Sequence, residues 1–195
     1  MNTKSISALK TIAEYYQRDS EDFLEKFLIL RDQGLRRTAR IKNFIDLAMG
    51  CECILKSHIA LGRLQEDPKL VYSEIKSASH DIGKLANLAN YMTNREYYDE
   101  IASALSNINV FNRYSLEAEL TFFPNFRSHT LADVNYSNTI GNYPWVTKLT
   151  ENLEILIKNS INEFNGEVTS DFSELMKNDS EVHAILRQNK RKNRS

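Results

Sequence analysis

The chain has 195 residues, 42% apolar and 26% charged, with a formal net charge of −1. That length suits one domain, or one domain with an appendage, and the near-neutral charge excludes a global positive field that would gather nucleic acid nonspecifically. With only six glycines and three prolines, turn punctuation is too sparse for an all-β sandwich, and an all-α fold is expected.

The opening MNTKSISALKTIAEYY has neither the long apolar core nor the small-residue cleavage site of a signal peptide. Its Ile6, Leu9, Ile12 and Ala13 form one stripe and predict a first helix over 4–16. Asp19 and Ser20 then read as the cap of a second helix opening with Glu21 and Asp22, acids suited to a positive helix end. Phe23, Phe27, Leu28 and Leu30 give that helix its apolar face, and Gly34 is a natural stop. The third helix, 35–62, has the strongest period, with Ile41, Phe44, Ile45, Ala48, Cys51, Leu55 and Ile59 at three- and four-residue steps. Arg36, Arg37, Arg40 and Lys42 crowd its start, the wrong end for the helix dipole; a solvated charged face is the simplest account of them.

Asp67-Pro68 pairs an N-cap with a proline at the first helical position and opens a helix carrying Leu70, Val71 and Ile75. A segment with Ile82, Leu85, Leu88, Ala89 and Met92 follows, and the SASHD stretch at 77–81 either breaks or joins the two. Thr93-Asn94-Arg95-Glu96 reads as a capping box for a helix running to about Leu105. Residues 113–143 are expected to form a short helical stretch, Arg113 to Leu120, and then a long ordered loop, because Phe122-Phe123-Pro124 cannot continue a regular helix. Pro144-Trp145 starts a further helix with Val146, Leu149, Leu153, Leu156 and Ile157, ended by Asn165-Gly166. A shorter helix over about 170–188 carries Phe172, Leu175, Val182 and Leu186, ahead of a basic tail. The expected division is a helical bundle domain over 1–165, then a C-terminal helix and tail over 166–195. No apolar run approaches the roughly 18 residues of a membrane span, so no membrane partner is expected and the cytoplasm is the expected compartment.

The chain has no phosphate-binding glycine motif, no HExxH and no GxSxG. Its four histidines, two cysteines and scattered acids have no cage-like spacing, so neither a metal nor a cofactor is expected. Cys51 and Cys53 point to nearly opposite sides of a helix, which rules out an ordinary disulfide and leaves one core cysteine and one bystander. Glu52 and Lys56 stand at i, i+4 in the favourable order and read as a helix-surface ion pair. His58 reads as a polar or half-buried residue of the same helix, and His183 as exposed. His80 and Asp81 are an acid–base pair in principle, but sequence neighbours on a helix do not face each other, so a cap or junction role is the simpler reading. Arg127 and His129 adjoin the Phe122–Phe126 aromatics. That combination either binds single-stranded nucleic acid by stacking and phosphate contact or packs the long loop onto the bundle.

One arrangement resembles a known family. A long helix carries Glu52-Cys53-Ile54-Leu55-Lys56-Ser57-His58, a later segment Ser79-His80-Asp81-Ile82-Gly83-Lys84-Leu85, and a third Asn112-Arg113-Tyr114-Ser115. This is similar to the HEPN superfamily, whose members carry an E-x-x-x-K helix, an H-D-hydrophobic-x-x-L helix and then an arginine near the start of a later helix. The resemblance covers 36–120, with the helix at 145–164 as a further bundle member. It implies an antiparallel four-helix core with extra N- and C-terminal helices, pairing as a homodimer. The implied setting is RNA metabolism, toxin–antitoxin pairs or phage defence, and the implied ligand a protein partner, a nucleotide or RNA. Catalytic members are metal-independent endoribonucleases with an Arg-x4–6-His motif. Here Ala118, Glu119 and Leu120 stand where histidine should follow Arg113, and Ala132, Asp133 and Val134 where it should follow Arg127. An alanine or carboxylate does not replace imidazole as a near-neutral proton shuttle. The expectation is therefore a non-catalytic binding protein. The alternatives are a ribonuclease whose site is assembled from Arg113, His80 and Asp81, or an unrelated helical regulator. Binding candidates are Arg113, Tyr114, Glu52, Lys56, Arg127 and His129.

Overall fold

The computed structural model describes residues 7–108, 114–123, 135–165 and 171–192. Within them the chain is all-α, with eight helices and no strand. The helices are α1 (Ala8–Arg31), α2 (Arg37–Gly62), α3 (Pro68–Ala78), α4 (Ile82–Leu88), α5 (Glu96–Leu105), α6 (Ser115–Phe122), α7 (Tyr143–Ile161) and α8 (Phe172–Lys192).

The two N-terminal helices expected from the sequence are one. Ser7 caps α1 by accepting from the Lys10 amide, and the helix runs without a break through Asp19 and Ser20. Its buried stripe is Leu9, Ala13, Gln17, Ser20, Leu24 and Phe27, so the period continues through two polar residues. Both are satisfied inside the core, where such groups need partners. Gln17 Nε2 donates to the Ile157 carbonyl and the Ser160 hydroxyl donates to Gln17 Oε1, while Ser20 donates to the Gly50 carbonyl.

Around the central helix α2 the rest of the molecule is built. From Gly50 to Leu61 every residue is buried, as befits a helix covered on all sides. Side chains crossing from α1 to α2 show the pair to be antiparallel. Ser57 bonds the Ala13 carbonyl, Ser20 the Gly50 carbonyl and Asn43 the Phe27 carbonyl, so partners rise along one helix as they fall along the other. Gly50 permits this approach, since a Cβ there would stand 3.1 Å from Leu153 and 3.4 Å from the Ser20 carbonyl. Helices α4, α5 and α7 close the other sides, with Leu85, Tyr98, Ile101, Leu149, Leu153 and Leu156 in one continuous core. Near the start of α7, Trp145 packs its ring on Phe44 with centroids 5.6 Å apart.

Three local expectations are corrected. Helix α5 begins after Arg95, and it is Asn94 rather than Thr93 that accepts from the Glu96 amide; Arg95 instead donates to the carbonyls of Ala86 and Ala89 and closes the end of α4. Both cysteines are buried, because α2 has no solvent side where they lie; burial pushes both thiols up, Cys53 to about 12. Helix α6 is displaced two residues from the expected stretch and reaches Phe122; with Ala118, Phe122 packs on Ile41 of α2. At the far end, Val182 and Ile185 of α8 pack on Ala8 and Ile12 of α1 in a small separate cluster. Among the described residues no helix is long and apolar enough to cross a membrane.

Candidate functional site

Glu52 sits in the middle of α2 and faces the junction between α3 and α4. That junction is tight. Ser79 ends α3 with a positive φ of 53°, a conformation uncommon outside glycine, and Asp81 caps α4 by accepting from the Lys84 amide. The turn places His80 against Glu52, with Nδ1 at 2.9 Å from Oε2 and 3.1 Å from Oε1. A carboxylate only accepts, so Nδ1 carries the proton and donates. Glu52 is 2% exposed and the His80 side chain 50%: the carboxylate is inside and the imidazole reaches out from it.

The expected surface pair Glu52–Lys56 is therefore a buried one. Lys56 Nζ stands 2.5 Å from Glu52 Oε1 with its side chain only 10% exposed, and it lies over the Tyr16 ring at 5.7 Å, a favourable place for a cation. A buried carboxylate is tolerated where counter-charge and hydrogen bonds surround it, and Lys56 and His80 supply both. Beside the pair stand Tyr16 and Tyr72, and burial, first of all, raises both hydroxyls above the usual tyrosine value.

Beyond Nδ1 the imidazole has one nitrogen left. No described residue bonds Nε2, and His80 lines an open cleft of about 640 Å³ together with Ser77, Ser79, Lys84, Ser106 and Asn107. A histidine held by a buried carboxylate through one nitrogen, with the other facing solvent, can move a proton or, when protonated, bind an anion.

Of the other described candidates, Asp81 lines the same cleft as His80, and Tyr114 lies at the start of α6. Asp81 does not join His80: its carboxylate accepts from the Lys84 amide at 3.0 Å and pairs with Lys84 Nζ at 3.1 Å, and those hydrogen bonds hold its carboxyl below the usual range. Tyr114 is half exposed at the start of α6, a helix that packs on Ile41, roughly 16 Å along α2 from Glu52. Arg113, Arg127 and His129 lie outside the described residues.

His58, expected to be polar or half-buried, is fully buried. Its Nε2 faces the Leu156 carbonyl at 3.1 Å and its Nδ1 the Tyr98 hydroxyl at 2.7 Å. Since a carbonyl only accepts, Nε2 holds the proton and Nδ1 accepts from Tyr98, whose oxygen in turn accepts from the Met92 amide. Burial lowers the imidazole from its ordinary 6.5 to about 4. This neutral histidine ties α2 to α5 and α7.

Two features carried no sequence signal. Between α5 and α7 lies a polar cavity of about 430 Å³ holding Glu100, Lys148 and Asn152, where hydrogen bonds from Asn152 and Lys148 lower the Glu100 carboxyl. Beside the start of α2 lies a smaller one of about 240 Å³. No family model matches the chain, and neither a curated protein nor a solved structure matches it.

Proposed function

We propose that this chain is a HEPN-like helical bundle that binds single-stranded RNA in the cleft beside His80, without the Arg-x4–6-His cleavage chemistry. One observation carries the reading: Glu52 holds His80 through Nδ1, and His80 lines a cleft together with Ser77, Ser79, Asp81, Lys84, Ser106 and Asn107. A protonated imidazole so held donates to a phosphate oxygen, and the hydroxyls and amide suit sugar and phosphate. The motif residues Glu52, Lys56 and His80, on which the family resemblance rests, form one cluster, which supports the same reading. The homodimer implied by the resemblance belongs to the proposal, and light scattering of the purified chain tests it; a one-chain mass at micromolar concentration removes that part.

Binding through so few cations gives a shallow salt dependence, with a slope of about +1 to +2 in log Kd against log salt. Fluorescence anisotropy with a labelled mixed-sequence RNA is expected to show binding that weakens about tenfold in His80→Ala. No binding by the unaltered chain, or equal binding by His80→Ala, sinks the proposal.

The bond between Nδ1 and Glu52 favours a second reading, a diverged metal-independent ribonuclease. The neutral tautomer it selects leaves a lone pair on Nε2, able to accept the proton of an attacking ribose 2′-hydroxyl. That reading expects RNA cleavage in the presence of a chelator, lost in His80→Ala. RNA left intact across neutral pH rejects it.

A further inference from the structure

The start of α2 combines several features that the His80 cleft does not use. Arg36, at the N-cap, makes no side-chain cap hydrogen bond, so the first amides of α2 have no cap from it and the positive end of the dipole is reinforced by arginines rather than offset by acids. Arg40 donates through Nε to the Leu35 carbonyl, and its terminal nitrogens have no described partner. Arg31 makes only a long contact with Asp32, 3.4 Å from Nε to Oδ1, and lies over the Tyr143 ring at 5.8 Å.

Arg31, Arg40 and one acid, Asp32, line the cavity of about 240 Å³, and Phe27, Phe44 and Val146 are among its apolar walls. Asn43 lines it too. That residue is 4% exposed, its Nδ2 is engaged by the Phe27 carbonyl at 3.0 Å, and its Oδ1 is buried with no hydrogen-bond partner. A buried acceptor left alone is costly and asks for a donor.

We infer that this cavity is a ligand site for a small aromatic or heteroaromatic acid that also bears an N–H donor. Each part of that description answers one part of the cavity. The aromatic and aliphatic walls take a planar ring. The Asn43 oxygen accepts from the ring's amino or N–H group, and the arginines pair with the acid in the forked geometry that guanidinium favours. The volume is below that of a typical drug-sized site, which holds the ligand to about one ring and its substituents. The inference does not depend on the RNA reading, since it shares no residue with the His80 cleft.

Three probes separate the parts in isothermal titration calorimetry of the full chain. 4-Aminobenzoate has both donor and acid, benzoate lacks the donor and aniline lacks the acid. 4-Aminobenzoate is expected to bind about tenfold more tightly than either of the others. In the double variant Arg31→Gln/Arg40→Gln its advantage over aniline disappears while its advantage over benzoate persists. The probe series reads Asn43 without altering a buried residue whose replacement risks the fold. Neither Glu52→Gln nor His80→Ala changes the affinities, which separates this site from RNA binding. Absence of saturable binding by all three probes, equal affinity for them, or an order unchanged by the arginine substitutions overturns the inference.

Discussion

At His58 a single proton is worth a measurable part of the molecule's stability. Its folded-state value of about 4 lies below the ordinary 6.5, so the unfolded chain binds the proton more readily. The neutral histidine's contribution is thus complete above about pH 6.5 and is lost as the pH falls toward 4. Relative to His58→Gln, which takes up no proton, the chain is expected to lose about 3 kcal/mol of stability between pH 7 and pH 4; urea denaturation at the two pH values measures the difference, and a constant gap refutes it. Glu52 is the second residue with such leverage. Glu52→Gln leaves Lys56 without its counter-charge and His80 without its anchor, and is expected to cost about 3 kcal/mol. Thermal melting checks this, and a melting temperature within a degree of the parent places the pair in water after all. The sequence nominated Glu52 but did not show the burial of either residue. Glu52 and Lys56 have the spacing of an ordinary surface pair, and what buries them arrives from Tyr16 and from the α3–α4 turn. The partners of His58 stand 40 and 98 positions away, beyond the reach of any local pattern.

Among the elements, α2 was legible because its apolar period is unbroken over the part that touches α1. The break expected in α1 was not there, for a physical reason: Gln17 and Ser20 occupy core positions with polar side chains, and a stripe read by hydrophobicity alone stops at them. Their hydrogen bonds to α7 and α2 satisfy the groups that seemed to belong in water. Caps were read correctly where the capping side chain is local, as at Asp67 and Asp81, which accept from Lys69 and Lys84. The start of α5 was misread because Thr93 and Asn94 compete for one role and only Asn94 faces the amide. The end of α2 gives an element-scale prediction. A Cβ on Gly62 would overlap Asn90 Oδ1 and stand 2.9 Å from the Tyr91 amide nitrogen, which is backbone and does not yield easily. Gly62→Ala is therefore expected to destabilise by about 2 kcal/mol, despite alanine's better helix propensity. A stabilised variant in the same denaturation assay shows that the α4–α5 connection is free to move.

For the whole molecule, the all-α class and most helix positions followed from composition and period, whereas the site did not. The sequence could nominate Glu52, Lys56, His80 and Asp81, but which of them meet depends on the α3–α4 turn closing onto α2, and Asp81 turned out to serve α4 instead. The C-terminal helix is attached outside the main core. Val182 and Ile185 meet α1 in a cluster separate from the main core, so Ile185→Asp is expected to raise amide exchange throughout α8 by roughly tenfold or more while the amides of α2 keep their protection; loss of protection in α2 as well makes α8 part of the cooperative unit. Trp145 is the one tryptophan of the chain. It rests on Phe44, a wall of the cavity beside α2, and itself lines the cavity between α5 and α7. The protein therefore carries a built-in optical probe at the partition between its two unassigned cavities. Excited at the red edge, where the nine tyrosines scarcely absorb, its emission has a single origin, so a change in colour or lifetime on adding a compound reports on that partition without any dye.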